Sequence, residues 1–195
     1  MKHSEIVGVV LAGGQSKRMG MNKALLPLND LPMIQIVTDV LRDVFERVIV
    51  VADNEGDYQF LGLPVFPDRW KNSGPLGGIH AAFSHVEAEA LFVSACDTPF
   101  ITQALIEHLV REESHPVCVA SMNGRVHPLP GLYRKEIVSE LERSLASGER
   151  KLVEFLQRVG AAIVPITPDL LFYQPHLLAN INEPGDYELV KQDLT

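Results

Sequence analysis

Short apolar runs alternate along this chain with amphipathic segments of helical period. Ile6–Leu11 (IVGVVL), Arg47–Ala52 (RVIVVA), Ala90–Ala95 (ALFVSA), Pro116–Met122 (PVCVASM) and Ala162–Ile166 are short and apolar, most of them rich in β-branched residues. Runs of this kind read as strands, and the continuous ones as strands buried on both faces. Between the first two, Met33, Ile36, Val37, Val40, Leu41 and Val44 recur at helical spacing, with Asp39, Arg42, Asp43 and Glu46 opposite them. Pro32 is expected as the first residue of that helix. Strand, helix and strand in this order predict a βαβ unit. Further helices are expected over Ile79–Val86, over Gln103–Arg111 behind an N-capping Thr102, over Lys135–Ala146, from Glu149 to about Val159, and over Gly185–Lys191. Tyr58–Leu63 reads as a short helix and Pro64–Pro67 as extended chain. Asn123-Gly124 is a strong hairpin signal, with a return strand from Arg125 to Tyr133. The pattern as a whole predicts an α/β domain with a mixed, mainly parallel central sheet and one antiparallel hairpin.

Composition narrows the classes. A chain of 195 residues with 46% hydrophobic and 22% charged residues suits one globular domain whose core is large enough to do without disulfides or a structural metal. The two cysteines, Cys96 and Cys118, lie in apolar runs far apart and read as buried thiols in a reducing compartment. No apolar stretch is long enough for a membrane span. The segment MKHSEIVGVV lacks a signal peptide's cleavage region. A cytoplasmic protein without membrane attachment is expected. The net charge of −8 argues against a protein that coats nucleic acid, but leaves a small anion open where charge is locally positive.

Such a place is Val7–Lys23, VGVVLAGGQSKRMGMNK. The first predicted strand ends at Ala12-Gly13-Gly14, and Lys17, Arg18 and Lys23 follow. Glycines after a strand let backbone N–H groups approach a ligand, and N–H groups with Lys and Arg make a phosphate site. Neither the P-loop spacing nor the dinucleotide fingerprint is present: Met21 follows Gly20, and no G-x-G-x-x-G occurs. A second glycine-rich stretch, Asn72-Ser73-Gly74-Pro75-Leu76-Gly77-Gly78, precedes the Ile79 helix. It reads equally as an anion site at a helix start or as a simple helix start. Asp97 directly follows the Ala90–Ala95 strand. That puts a carboxylate on the sheet edge where α/β proteins bind ligands, where it reads as a ligand for Mg²⁺ beside phosphates or as a cap for the next helix, for which Thr102 is the more natural residue. Asn180 and Asn182 alternate, so in extended chain they point the same way; turn formation before a helix accounts for them as well. Arg150 and Lys151 are cations at a predicted helix start, which the helix dipole disfavours, so they read as a solvated first turn or as contacts to an anionic substrate. A lone histidine such as His127 is more often a surface or hairpin residue.

The motif L-A-G-G-x-S-x-R-M-G-x-x-K resembles the signature loop of the nucleotidyltransferases related to sugar-nucleotide pyrophosphorylases, and within them the molybdenum cofactor guanylyltransferase family. G-P-L-G-G, C-D-T-P-F, His127-Pro128 and N-I-N-E-P are similar to further segments of that family, so the resemblance runs from Val7 to about Leu189. It implies a single three-layer Rossmann-like nucleotidyltransferase domain over residues 1–195, with a nucleotide- and metal-binding half (1–100) and an acceptor half (101–195). It implies GMP transfer from GTP to the phosphate of molybdopterin, with pyrophosphate released and Mg²⁺, or Mn²⁺, bound. Implied catalytic residues are Arg18, Lys23 and Asp97, with Asp97 the metal ligand. Implied nucleotide contacts are Leu11, Ala12, Gly13, Gly14, Lys23, Asp68, Gly74 and Asp97. Implied acceptor contacts are His127, Arg150, Lys151, Asn180 and Asn182. Enzymes that make the cofactor and molybdoenzymes that receive it are the implied protein partners; nucleic acid and membrane are not. Asn22 stands where the family often has Asp, Val51 where some members have Asn, and Gly77-Gly78 where Ala-Gly is usual. A cytidylyltransferase for the same pterin, a sugar-1-phosphate nucleotidyltransferase and a non-catalytic nucleotide-binding adaptor are the alternatives.

Overall fold

A computed structural model describes residues 2–13, 22–70, 72–111, 114–182 and 185–186. The first strand, β1 (His3–Leu11), leads after a gap in the described chain to a small hairpin, β2 (Pro27–Leu28) with β3 (Leu31–Pro32). Helix α1 (Met33–Val44) follows and delivers the chain to β4 (Phe45–Val51), which lies parallel to β1. Then come β5 (Val65–Phe66), α2 (Gly74–His85), β6 (Ala90–Ala95), α3 (Gln103–Val110), β7 (Val117–Met122), β8 (Arg125–Arg134), α4 (Val138–Ala146), α5 (Leu152–Arg158) and β9 (Ala162–Pro165).

Seven strands form the central sheet in the order β5-β4-β1-β6-β8-β7-β9. Only β8 runs against its neighbours. The mixed, mainly parallel sheet and the hairpin at Asn123-Gly124 are therefore as the apolar pattern predicts. Both hairpin residues have positive φ, 53° and 75°, the turn that two-residue hairpins require.

Period-two alternation sends side chains to both faces. Val10, Val48, Val50, Phe92 and Cys118 pack on one face with α1 and α3 residues such as Ile34, Leu41 and Leu105. Val7, Val9, Ile49, Leu91 and Val119 pack on the other with Leu76, Ile79, Leu141 and Phe155 of α2, α4 and α5. This makes three layers. Cys96 and Cys118 are buried and are not joined in a disulfide. Among the described residues, no helix is long and apolar enough to cross a membrane.

Several boundaries differ from expectation. Helix α2 begins at Gly74, not Ile79, so Gly77 and Gly78 are helical. Their glycine identity has a packing cause. A Cβ on Gly77 would lie 2.6 Å from Asp68 Oδ2 and 3.0 Å from the Trp70 carbonyl, and one on Gly78 would lie 2.9 Å from Leu11 Cδ2. At Gly78 a side chain would press on Leu11 at the end of β1, and at Gly77 on Asp68 and the Trp70 carbonyl, and this close packing offsets a poor helix propensity. Helix α5 begins at Leu152, with Lys151 as its cap and Arg150 before it. The two cations therefore stand outside the first turn. Pro32 pairs in β3 and precedes α1 as its N-cap. The stretch expected over Tyr58–Leu63 is a 3₁₀ helix over Glu55–Leu61. The β2–β3 hairpin has no apolar run to announce it; its turn residues Asn29 and Asp30 take positive φ. Most of the helix expected over Gly185–Lys191 lies outside the described residues.

Candidate active site

Backbone hydrogen bonds level the carboxyl ends of four adjacent strands. Cys96 N donates to Leu11 O at 3.1 Å, Ala12 N to Val51 O at 2.9 Å, and Ala52 N to Phe66 O at 2.9 Å. The residues leaving these strands, Ala12 and Gly13, Asp68, and Asp97, thus share one edge of the sheet.

Lys23 and Asp97 meet on that edge. Lys23 Nζ donates to Asp97 Oδ2 at 2.5 Å and to Asn182 Oδ1 at 3.3 Å. Asn180 Nδ2 donates to the other carboxylate oxygen, Asp97 Oδ1, at 3.2 Å. The asparagines come from far down the chain, and Ile181 between them explains how they are held. Its N–H donates to Asp97 O at 2.8 Å, and its side chain is buried with Leu28 and Met33. Alternation then turns Asn180 and Asn182 to the same side. The Asp97 side chain is 9% exposed and that of Lys23 30%, so a sunken carboxylate carries an ammonium that reaches water. Asp97 does not cap α3; Thr102 does, accepting from Leu105 N at 3.3 Å.

Lys23 opens a short 3₁₀ turn, Lys23–Leu25, capped by Asn22. Asn22 Oδ1 accepts from Ala24 N at 3.2 Å, while its Nδ2 donates to Tyr58 Oη at 2.9 Å. Tyr58 Oη in turn donates to Ala12 O at 3.3 Å. Sequence reasoning missed this tie, because its members are 36 and 46 residues apart and the tyrosine reads locally as a core aromatic.

Next to Asp97, burial first, and then the Asp97 charge, push the Cys96 thiol up to about 12. It stays protonated near neutrality and is no nucleophile.

Other sequence-predicted residues lie around this cluster rather than in it. Asp68 Oδ1 accepts from Trp70 N at 2.8 Å, and its carboxylate faces Gly77. Gly74, with φ +59°, starts α2 near the Arg150 carbonyl, which would be 3.8 Å from an added Cβ. Lys151 Nζ is bound to Glu154 at 2.6 Å. Arg158 pairs with Glu149 at 2.7 Å and Glu140 at 3.2 Å. A cavity of about 530 Å³ opens here between Ser147 and Arg158, and none of its lining residues belongs to the Lys23–Asp97 cluster. His127 sits in β8 opposite Ala120. Because β8 runs antiparallel to β6, its N-terminal end lies at the same sheet edge. Burial, and then the charge of Arg125, lower the His127 pKa, so the ring is neutral at pH 7. Gly14 and Arg18 lie outside the described residues, as does Lys17.

The donor set suits a hard cation. Asp97 offers carboxylate oxygens, and the Lys23 ammonium already stands against one of them. Among the described residues no three His, Cys, Asp or Glu gather into a cage. One carboxylate with the remaining ligands from phosphate and water is the usual Mg²⁺ arrangement.

Comparison with known proteins agrees with this geometry. The MobA-like NTP transferase domain matches residues 8–162. The chain is 37% identical over 182 residues to a protein of Carboxydothermus hydrogenoformans named a probable molybdenum cofactor guanylyltransferase, covering 92% of this chain and 91% of that one. Its fold is similar to the crystal structure of molybdopterin-guanine dinucleotide biosynthesis protein A from Archaeoglobus fulgidus, with a TM-score of 0.80, 26% identity, and coverage of 96% and 98%. A manganese complex of a Mycobacterium tuberculosis protein shares the fold at a TM-score of 0.71 and 20% identity, over 96% and 98% of the chains.

Proposed function

The chain belongs to the MobA-like NTP transferase family, and from that premise we propose that it transfers GMP from GTP to the phosphate of molybdopterin. The observation that carries this reading is the meeting of Lys23, Asp97, Asn180 and Asn182 at one strand edge, in a chain similar to relatives named for that reaction. In the reaction an acceptor phosphate oxygen forms a bond to the α-phosphorus of GTP. The bond from that phosphorus to the bridging oxygen breaks, and its electron pair leaves with pyrophosphate. A phosphate monoester is already anionic near neutrality, so no general base is needed.

Such a transfer depends on alignment and on charge stabilisation. Lys23, half-sunk and in contact with water, swings from Asp97 to the triphosphate and holds the leaving pyrophosphate. Arg18 acts with it. Leu11, Ala12, Gly13 and Gly14 contact the nucleotide, with Gly74 and Asp68 on its other side, where the Asp68 carboxylate suits the N1–H and N2–H₂ donors of guanine. Asp97 holds the divalent ion, for which Mg²⁺ fits the oxygen donors and Mn²⁺ can substitute; when bound, that ion neutralises charge on the phosphate oxygens. Asn180 and Asn182 keep the Asp97 carboxylate and Lys23 in register and face the acceptor. His127, Arg150 and Lys151 line its approach. Residues 1–100 make the nucleotide half and 101–195 the acceptor half of one domain, which works in the cytoplasm between enzymes that make the cofactor and enzymes that receive it.

The test is pyrophosphate release from GTP, CTP, ATP and UTP, each with Mg²⁺ and molybdopterin. The reading expects turnover with GTP alone. Preference for CTP would move the chain to the sister cytidylyl activity, and binding without turnover would make it an adaptor.

A further inference from the structure

We infer that Tyr58 is a positioning residue for Lys23, its hydroxyl clasping together the two chain segments, Ala12 and Asn22, that flank the glycine-rich loop. The inference rests on the reading of Lys23 as a phosphate-binding cation.

The orientation of each group follows from its neighbours. Asn22 Oδ1 is used by the Ala24 N–H, so its Nδ2 faces Tyr58 Oη at 2.9 Å and Asp57 Oδ2 at 3.4 Å. The tyrosine hydroxyl accepts that N–H and has one proton left, which goes to Ala12 O at 3.3 Å. Ala12 N is bonded in turn to Val51 O, so the tie runs from the Lys23 turn into the central sheet. Tyr58 is buried, and its ring packs in the core among the residues around α1, so the hydroxyl sits on a rigid stem. Burial, more than any other influence, raises the Tyr58 pKa, so the proton needed for Ala12 stays in place.

Asn22 is what makes the relay possible here. An aspartate could still cap Ala24, but its second oxygen would accept from Tyr58. The single hydroxyl proton would then leave Ala12, and two carboxylates would stand side by side at Asp57. Asn22 thus supplies the donor on which the tie with Tyr58 depends.

Two readouts test the assignment on the full chain. Tyr58→Phe keeps the ring and removes the clasp. The expected result is a fall of about tenfold in kcat/KM for GTP, an unchanged KM for the acceptor, and faster amide exchange at Leu25 and Leu26, whose N–H groups bond to Asn22 O and Lys23 O. In a Lys23→Ala background the same change should cost less than about twofold, because a residue acting through Lys23 is not additive with it. Asn22→Asp should reproduce the Tyr58→Phe effects and covers the case in which the core variant folds poorly. Unchanged exchange and kinetics in both variants would overturn the assignment, as would a Tyr58→Phe loss that persists in full without Lys23. Wild-type protein that turns over no GTP would contradict the functional reading instead; amide exchange still decides whether the clasp holds the turn.

Discussion

Two regions of this molecule gather charge, and they do so in different ways. At the strand edge, Lys23 and Asp97 stand 74 residues apart in sequence, and Asn182 is 159 residues from Lys23. Each is held by an element built for other reasons: a strand end, a capped turn, a segment pinned through Ile181. At the corner between α4 and α5, partners are close in sequence. Lys151 bonds to Glu154 three residues on, and Arg158 reaches Glu149 and Glu140 within eighteen. The Lys151–Glu154 pair is largely exposed, and such a pair contributes little; Arg158 holds the less exposed Glu149 through two nitrogens. Charge brought together over long distances costs chain order and persists where the fold fixes it; the Lys151–Glu154 pair along one turn is what any solvated helix end offers. The cavity lies at the second region, and the chemistry is assigned to the first.

Substitution can break this contrast. Asp97→Ala should have the largest effect, lowering kcat by on the order of 10²–10³-fold in a pyrophosphate-release assay, with Lys23→Ala about 10²-fold. If Lys151→Ala cost as much, the two regions would have been assigned the wrong way round. The packing under the first region is tested by Gly77→Ala. The new Cβ meets the Asp68 carboxylate and the Trp70 carbonyl, a strain of about 1–3 kcal/mol against a helix-propensity gain of at most about 1 kcal/mol. Thermal unfolding should move down by about 2–4 °C per kcal/mol lost.

His127 sharpens the comparison through pH. Its pKa is lowered by burial and then by Arg125, so the unfolded chain takes up the proton first as pH falls. Stability from the neutral ring is present above the ordinary histidine value of 6.5 and is lost as pH drops through the lower folded value. His127→Gln should flatten the fall in thermal midpoint below pH 6.5, seen by calorimetry from pH 7.5 to 5. The smallest effect is expected from Lys151→Ala: no change in GTP kinetics or thermal midpoint, and a rise in acceptor KM of less than about threefold.

Much of this arrangement is legible in the sequence, for stated reasons. Apolar runs long enough to be buried on both faces announce the parallel strands, and Asn123-Gly124 announces the reversal into β8. A carboxylate that follows a buried strand has to emerge at the ligand edge, so the position of Asp97 follows from pattern alone. What stays hidden depends on contacts between distant segments. The start of α2 is obscured because Gly77 and Gly78 look like a loop until Asp68 and Leu11 are seen pressed against them. The clasp at Tyr58 needs three segments at once. Arg150 and Lys151 look like a mismatched helix start only until the helix is seen to begin beyond them.

The most direct measurement is Mn²⁺ binding in the presence of GTP, followed by paramagnetic resonance, in wild-type protein, Asp97→Asn and Lys151→Ala. The account predicts a ternary complex in wild type and Lys151→Ala, and its loss in Asp97→Asn. Undiminished Mn²⁺·GTP binding by Asp97→Asn would contradict it.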